Sequence, residues 1–366
     1  MPSCAFTSFN DPDQYSAAVR AAEVRLTVTR RGGSRASLMR ADLHQLWLQE
    51  GRESFARVAH VAVAPSRVAA MFAQPGGAPF FWRGREAAPG ALILAGIGED
   101  GYQNSEGPTH WASLSLPPET FAALAALNGV APRPASGHAF APLPASMRRV
   151  GWLHGEVARL AREAPWVLAR AEPARALEQA LIDALMSCLG EQDAKEDAAA
   201  RGRGAEIVAR LEAMLEAAPN RPLHLPEICL ALGVSERTLQ THCMAHLGLG
   251  PKRYLLLRRL HIARRLLSAS MTGRNSVTEI ATRCGFWELG RFAVAYRQLF
   301  GESPSATLRR ARTTGGDLRN LHSQRGVRRL TIRAPAPAWR DPSNDAAARQ
   351  CFFFEARGAA PFRLNT

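Results

Sequence analysis

The sequence lacks the marks of secretion, membrane insertion and disulfide bonding. Its first 15 residues hold no basic region followed by an apolar run, so they do not resemble a secretory signal. No uninterrupted apolar stretch approaches the roughly 20 residues that a membrane helix needs. The six cysteines are scattered without short paired spacing, which favours reduced core thiols over disulfides. We expect a cytoplasmic protein without membrane contacts.

Signatures of catalysis are also missing. No Ser/His/Asp set, glycine-rich phosphate loop or paired-carboxylate pattern stands out. His44, His60 and His110 fall in strand candidates, but their spacing does not resemble the usual metal motif of a barrel, and ordinary packing is favoured. His242 and His246 have a spacing that can bind zinc, yet no partner pair follows. We expect no metal, no cofactor and no catalytic residue.

Positive charge is concentrated in the last part of the chain. Residues 1–220 hold 22 basic and 23 acidic side chains, whereas residues 221–313 hold 15 basic and 5 acidic ones. The segment from residue 314 adds 9 basic and 4 acidic side chains. Binding to a polyanion is therefore expected of the C-terminal part.

Composition and hydrophobic patterning together predict an α+β protein. We divide it into a strand-rich domain at 1–146, a helical segment at 147–190, a flexible linker at 191–204, an all-α domain at 205–313 and a disordered basic tail at 314–366. Leucines spaced by four from Leu177 to Leu189 form a stripe on one helix face. That stripe either packs on the strand-rich domain or pairs with a second copy.

The strand-rich domain consists of short apolar or alternating runs between Glu23 and Leu116, separated by glycine, proline and polar corners. Such strands close as a sandwich or a small barrel, and the length with edge protection favours a barrel-like, cupin-like form. Small-molecule pockets are mostly apolar with aromatic walls. The candidate pocket residues are Phe81, Trp82, Trp111 and His44, for which core packing is the alternative.

The segment from Leu225 to Leu267 predicts a helix-turn-helix. Gly233 permits the tight exit from a first helix, and Ser235 caps a second one. Leu239 and Cys243 lie on the inner face of that second helix, and a polar stripe lies opposite. In this geometry the second helix enters the major groove of DNA. The candidate DNA-binding residues are Ser235, Glu236, Arg237, Gln240 and Thr241, of which Arg237 and Gln240 suit bidentate contacts with base edges.

A second unit of the same form follows. Ser276 and Glu279 form a capping box, Gly285 makes the turn, and residues 289–300 form the second reader helix. Its candidate DNA-binding residues are Leu289, Gly290, Arg291, Ala293, Val294 and Arg297. Because most of these side chains make few base hydrogen bonds, we expect them to touch phosphates and thymine methyl groups, with the first helix carrying more hydrogen-bond readout.

A helix that begins at Pro251 connects the two units as a rigid strut. Held by it, the two reader helices would address successive major-groove faces roughly 34 Å apart on one side of the duplex. Arg258 and Arg264 on this helix either approach phosphates or solvate the exposed face.

Residues 222–313 resemble the DNA-binding domain of AraC/XylS-type transcription regulators. The resemblance is carried by GVSERTLQ, GLGPKRYL, RRLHIARRLL, VTEIATRCGF and FGESPSATLR, and the last part is similar to the branch of ethanolamine-utilisation regulators. Cys243 stands where the family commonly has a large aromatic residue, and Thr241 stands where a basic residue is usual.

This resemblance implies a transcription activator that binds double-stranded DNA. It also implies an N-terminal barrel for a small effector, ethanolamine-like at the level of the branch, together with a homodimer and contact with RNA polymerase. A barrel-type small-molecule enzyme with an attached DNA-binding module is the alternative.

Overall fold

The computed structural model describes residues 2–87, 89–130, 138–140, 142–190, 201–218, 223–270 and 275–313, with backbone alone at 138–140 and 201–203. The tail predicted at 314–366 lies outside these residues, as does most of the predicted linker; the last residues of that linker begin a helix at Arg201.

The N-terminal region is built from strands and a few helices. The strands are β1 (Ser3–Phe9), β2 (Ala22–Val28), β3 (Ala36–Asp42), β4 (Trp47–Glu53), β5 (Arg57–Val63), β6 (Val68–Ala73), β7 (Phe80–Trp82), β8 (Arg85–Glu86), β9 (Leu92–Ala95), β10 (Asp100–Ser105), β11 (Thr109–Leu116) and β12 (His138–Phe140). The helices are α1 (Pro12–Ala18), α2 (Pro118–Leu127), α3 (Pro144–Glu163), α4 (Pro165–Leu168) and α5 (Ala171–Gly190).

These strands form two antiparallel sheets. The seven-stranded sheet has the order β1-β3-β4-β11-β6-β9-β12, and the five-stranded sheet has the order β2-β5-β10-β7-β8. Apolar side chains from both sheets, among them Leu26, Leu38, Phe80 and Trp111, are buried in one cluster. The core of the N-terminal domain therefore lies between the two sheets.

Helices α3 and α5 cover the other face of the seven-stranded sheet. Leu181, Leu185 and Leu189 on α5 are buried in a cluster with strand residues such as Leu48, and Leu177 packs partly buried against it. The leucine stripe predicted from the sequence thus packs on the strand-rich domain.

The C-terminal region is entirely helical over its described residues. Its helices are α6 (Arg201–Ala217), α7 (Leu225–Leu232), α8 (Glu236–Leu247), α9 (Pro251–Ala269), α10 (Val277–Arg283) and α11 (Leu289–Phe300), and residues 304–313 are also helical. Two clusters form its core, one around α6, α7 and α8 and one around α9, α10 and α11.

The five-stranded sheet lies between the N-terminal core and the helical region. Val58 on β5 and Tyr102 on β10 are buried with α6 and α8 residues such as Leu211 and Leu239. Ala59, the neighbour of Val58, is instead buried in the cluster between the sheets. Because successive strand residues point to opposite faces, one sheet serves both cores.

The predicted β-rich N-terminal domain and all-α C-terminal domain are confirmed, but the closed barrel is not. Among the described residues, no strand pair joins β1 or β12, the edges of the larger sheet, to an edge strand of the smaller one. Alternation of apolar residues determines which face of a strand is buried and leaves open whether two edges meet, so the pattern did not separate a sandwich from a barrel. Strand β1 and helix α1 lie before the region predicted to hold strands.

Candidate nucleic-acid interface and interior cavity

The first helix-turn-helix is formed by α7 and α8. Gly233 ends α7 with φ 67°, a conformation in which a side chain would be strained. Ser235 then caps α8, its hydroxyl accepting a hydrogen bond from the backbone N–H of Thr238 at 3.1 Å. Gly248 ends α8 with φ 67°. The turn and both ends of the helix therefore follow from local residue chemistry.

Helix α8 has one buried and one exposed face. Leu239, Cys243 and Leu247 are buried in the core of the first unit. Burial raises the pKa of the Cys243 thiol to about 12, so this thiol is a neutral core group. The polar stripe predicted to read DNA lies on the opposite, exposed face: Ser235, Glu236, Arg237, Gln240 and Thr241.

Local contacts hold three of these exposed side chains. The Glu236 carboxylate pairs with Lys252 Nζ at 2.8 Å. The Thr241 hydroxyl donates to the carbonyl of Arg237 at 3.0 Å, which leaves its oxygen free to accept. The Gln240 amide lies against Gly250, where an added Cβ would come within 2.8 Å of both its nitrogen and its oxygen. A glycine at the start of α9 thus leaves room for this amide.

The second helix-turn-helix is formed by α10 and α11. Ser276 caps α10 and accepts a hydrogen bond from the N–H of Glu279 at 3.1 Å. Gly285 makes the turn with φ 78°. Phe292 and Tyr296 are buried on the inner face of α11, with ring centroids 5.6 Å apart. The bounds of α11 are those predicted from the sequence.

The outer face of α11 is mostly apolar. Leu289, Gly290, Arg291, Val294 and Arg297 are exposed and Ala293 is half-buried. Arg291 pairs with Glu288 at 2.8 Å.

Trp287, which the sequence analysis leaves without a role, lies two residues before α11 and is 75% exposed. An aromatic residue between the turn glycine and the helix start was the available signal for it.

The two α9 arginines predicted to contact DNA lie in different surroundings. Arg258 points into the helical region and pairs with Glu212 of α6; only 19% of its side chain is exposed. The guanidinium of Arg264 lies 4.6 Å from the ring centre of Phe300 and is half-buried. The structure thus brings Arg264, and not Arg258, toward the second unit.

The five-stranded sheet is hydrogen-bonded to the helical region at two backbone carbonyls. Asn104 on β10 donates its side-chain amide to the carbonyl of His246, near the end of α8, at 2.9 Å. His261 Nε2 lies 3.0 Å from the carbonyl of Val28 on β2. An ion pair between Arg25 of β2 and Glu216 of α6 adds a third link. The first reader helix is therefore anchored to the N-terminal domain.

A cavity of about 70 Å³ lies between the two sheets. Trp82 and Trp111, both predicted as pocket residues, line it. Phe81 and His44 do not: Phe81 alternates with the buried Phe80 and Trp82, and His44 lies in a loop where its Nε2 is 3.4 Å from the carbonyl of Ala171. Their prediction as pocket residues is not supported by this placement, because the sequence did not show which strand face points inward.

A buried ion pair that the sequence analysis did not identify forms one part of the cavity wall. Glu53 and Arg57 lie 2.7 Å apart with side chains 2% and 1% exposed. Burial alone would raise the pKa of Glu53, but the Arg57 guanidinium and a hydrogen bond from Thr109 lower it. The sequence carried no clear signal for this pair, because Glu50 and Arg52 are charged as well and stand directly beside it.

Among the described residues, no group of three or more His, Cys, Asp and Glu side chains is placed to hold a metal ion. None of the helices in the described part of the chain is long and apolar enough to cross a membrane.

Comparison with known proteins places the helical region in a family. A helix-turn-helix domain family model matches residues 228–310. Over 95 residues the chain is 43% identical to the "Probable thc operon regulatory protein" of Rhodococcus erythropolis, which covers 26% of this chain and 29% of that protein. Over 99 residues it is 38% identical to the XylDLEGF operon transcriptional activator 2 of Pseudomonas putida, which covers 27% of this chain and 63% of that protein.

A solved structure, of a "probable AraC family transcriptional regulator" from Rhodopseudomonas palustris, is 36% identical and covers 29% of this chain and 98% of that chain, with a TM-score of 0.27. The matches to the two curated relatives span less than two thirds of their lengths. The two helix-turn-helix units built above thus coincide with the matched segment, and the C-terminal helical domain of this chain is similar to the helix-turn-helix domains of AraC/XylS-type regulators.

Proposed function

We propose that this protein is a sequence-specific DNA-binding transcription activator controlled by a small molecule bound in its N-terminal domain. The observation that carries the proposal is the pair of helix-turn-helix units whose second helices, α8 and α11, both keep their outer faces exposed. Helices in this position enter the major groove. The excess of basic side chains in residues 221–313 supplies the phosphate attraction.

The first reader helix contributes hydrogen bonds to base edges. Arg237 and Gln240 are exposed and have the donor geometry for bidentate contacts with guanine and adenine. Ser235, Glu236 and Thr241 flank them at the start and along the same face of α8 and contact the neighbouring bases and phosphates.

The second reader helix contributes shape and apolar contact. Leu289, Ala293 and Val294 meet thymine methyl groups. Gly290 lets the backbone of α11 approach the DNA, because the space beside it is open: an added Cβ there would meet nothing within 4 Å. Arg291 and Arg297 are exposed and contact phosphates. Arg264 on α9 contacts phosphates as well, whereas Arg258 positions α9 against α6 through its pair with Glu212.

The five-stranded sheet couples the two functions. Its inner face lines the cavity with Ala59 and Gln103, and its outer face holds the end of α8 through Asn104. A ligand that binds more tightly to one position of this sheet than to another favours that position. It shifts the equilibrium between the two positions of α8 by the difference in binding free energy.

Two partners complete the proposal. The protein acts as a homodimer and contacts RNA polymerase as an activator. Trp152 on α3 and Trp166 on α4 are 65% and 66% exposed, and they support a contact between copies through the helical layer. Sedimentation of the purified chain over a concentration series measures the dimer. A chain that stays monomeric in the presence of the selected DNA described next would contradict it.

Binding to DNA is tested with a duplex selected from a randomised pool by the full-length protein. Fluorescence anisotropy on this duplex and on a scrambled one, from low to high salt, is expected to show specific and strongly salt-dependent binding. Arg35→Ala, at an exposed position just before β3, is the control for loss of one positive charge. No enrichment and no binding at low salt would reject the proposal.

A further inference from the structure

Strand β1 is a long edge strand without the usual protection of an edge. It lies at one end of the seven-stranded sheet and pairs with β3 on one side only. Among the described residues, none of its backbone N–H and C=O groups has a hydrogen bond beyond that pairing. Its seven residues, SCAFTSF, include no charged side chain and no proline. Such an edge is a template for another strand, because unpaired N–H and C=O groups lie in a row along it.

The other three edges of the two sheets differ from β1. Strands β12 and β8 are three and two residues long, and short edges offer few groups to pair. Strand β2 is as long as β1, but it carries Glu23 and Arg25, and α9 packs against it with His261 at the carbonyl of Val28. Within the described part of the two sheets, β1 alone is thus a long edge without a charged side chain.

An exposed apolar ring lies on the helical side of this edge. Phe6 faces the same way as Cys4, which packs against the buried cluster beneath α3 and α5, yet Phe6 is 49% exposed. Its partner in the register is Met39, which is buried in the same cluster. Helix α4 packs beside β1 and exposes Trp166. The free strand edge and these two aromatic residues therefore belong to one stretch of surface.

A second copy of the same strand fits this edge. A two-fold axis perpendicular to the sheet makes two copies of β1 antiparallel neighbours, with residues of the same face opposite one another. With the axis at Phe6, the central residue, all seven residues of each strand find a partner. Phe6 then lies opposite Phe6 of the second copy, and Cys4 lies opposite Ser8. Aromatic pairs in this position stabilise a ladder, and no like charges meet because the strand has none.

We propose that two copies of the chain join by antiparallel pairing of β1, with the two-fold axis at Phe6 and with Trp166 of each copy packing beside the paired strands. The two seven-stranded sheets then form one continuous sheet. This inference rests on the proposed function only in taking up the homodimer named there. The duplex bound by the C-terminal domain does not fit this edge, because β1 offers no lysine or arginine to phosphates.

Charge substitutions at the axis test the pairing on the full-length protein without DNA. Phe6→Glu and Phe6→Lys each place two like charges directly opposite one another, which is expected to weaken the dimer at least about tenfold. An equimolar mixture of the two variants places opposite charges across the axis, and it is expected to associate about tenfold more tightly than either variant alone. Sedimentation over a concentration series, with the wild type alongside, measures the dissociation constants.

The same two substitutions at Leu127, an exposed apolar residue on α2, are the matched controls and are expected to leave the dimer unchanged. Hydrogen exchange gives a second readout. The outward N–H groups of β1 are expected to exchange more slowly in the wild-type dimer than in either Phe6 variant alone. Because recovery in the mixture requires folded variants, it separates loss of pairing from loss of folding.

A dimer that persists in both Phe6 variants would place the contact elsewhere and overturn the proposal, while the homodimer itself would stand. A mixture that associates no more tightly than its components would overturn the proposal as well. A wild-type chain that stays monomeric across the series would remove both, and slow exchange in β1 of that monomer would mean that another segment of the same chain covers the edge. Because no DNA is present, each of these results leaves binding to the selected duplex standing.

Discussion

The two helix-turn-helix units both have left-handed glycines before and after the second helix, and they differ in the residues that this helix exposes. Each second helix follows a glycine with φ of 67° or 78° and ends at a second left-handed glycine, Gly248 or Gly301. Yet the exposed face of α8 is polar, whereas that of α11 carries Leu289 and Val294, 39% and 56% exposed. The left-handed glycines recur in both units because the turns need them, whereas the exposed residues of each second helix are not constrained by the turns.

The units also differ in what supports them. The core of the first unit includes Val58 and Tyr102 of the five-stranded sheet. Among the described residues, the core of the second unit contains residues of the C-terminal region alone, with ring centroids of Phe286 and Phe292 4.7 Å apart and those of Tyr296 and Phe300 4.6 Å apart. The core that holds α8 thus includes residues of the N-terminal domain, whereas the core that holds α11 is formed by the C-terminal region.

The largest expected effect is the loss of stability when one buried side chain in the core of each unit is truncated to alanine. Phe292→Ala is expected to cost about 3–5 kcal/mol and Leu239→Ala about 2–5 kcal/mol of unfolding free energy, because both side chains are fully buried. Urea unfolding measures the loss. Hydrogen exchange is expected to rise in β10 for Leu239→Ala alone; the same rise in Phe292→Ala would contradict the difference in support.

The second largest effect is expected on DNA affinity and base preference when side chains of the reader helices are replaced by alanine. Arg237→Ala or Gln240→Ala should cost about 1–3 kcal/mol on the selected duplex and relax preference at one base pair, since bidentate contacts are lost. Arg291→Ala on α11 should weaken all sequences alike and reduce the salt slope by about one. Anisotropy on matched and mismatched duplexes measures both. Equal losses on selected and random DNA for Gln240→Ala would show that α8 does not read bases.

The two glycines that end the reader helices provide a matched pair. Gly248→Ala and Gly301→Ala both place a side chain in the left-handed region, at about 1–2 kcal/mol each. An added Cβ at Gly248 would also lie 2.8 Å from Asn104 Oδ1, whereas at Gly301 the nearest group, of Arg31, is 3.6 Å away. Only Gly248→Ala should loosen the contact with β10, measured by hydrogen exchange. An unchanged β10 in that variant would argue that the contact does not hold α8.

The smallest expected effect distinguishes the apolar exposed face of α11 from the polar exposed face of α8. Replacing thymine by uracil in the part of the selected duplex bound by α11 should cost up to about 0.8 kcal/mol, the value of one buried methyl-sized group. Val294→Ala should reduce that cost, and Trp287→Ala should do so if its exposed ring reaches the same bases. Leu127→Ala on α2, an exposed apolar residue to which no contact is assigned, is the control. A uracil penalty that persists in both variants would remove these side chains from the interface.

Local chemistry in the sequence was enough to predict the helical domain. Gly233, Ser235 and Gly285 demand particular backbone angles or caps, so the turns and the start of α8 follow from single residues. Burial of Leu239 and Cys243 follows from their helical spacing. The exposed stripe of α8 then needs no tertiary information.

What the sequence did not reveal depends on contacts between distant segments. Arg258 was expected either to approach phosphates or to solvate the exposed face of its helix, but it pairs with Glu212, 46 residues earlier in the chain. Phe81 and Trp82 are adjacent and cannot both face the cavity, and only the pairing of β7 with β10 determines which one does. The buried pair of Glu53 and Arg57 likewise needs Tyr15 and Thr109 to surround it.

Strand β10 carries two sets of residues with different contacts. Gln103 lines the cavity, whereas Tyr102 and Asn104, its neighbours on either side, contact the helical domain. Substitutions at every second position of this strand can therefore alter the cavity wall and leave the surface that meets α8 unchanged. Related regulators that respond to different chemicals should differ along β10 with a period of two.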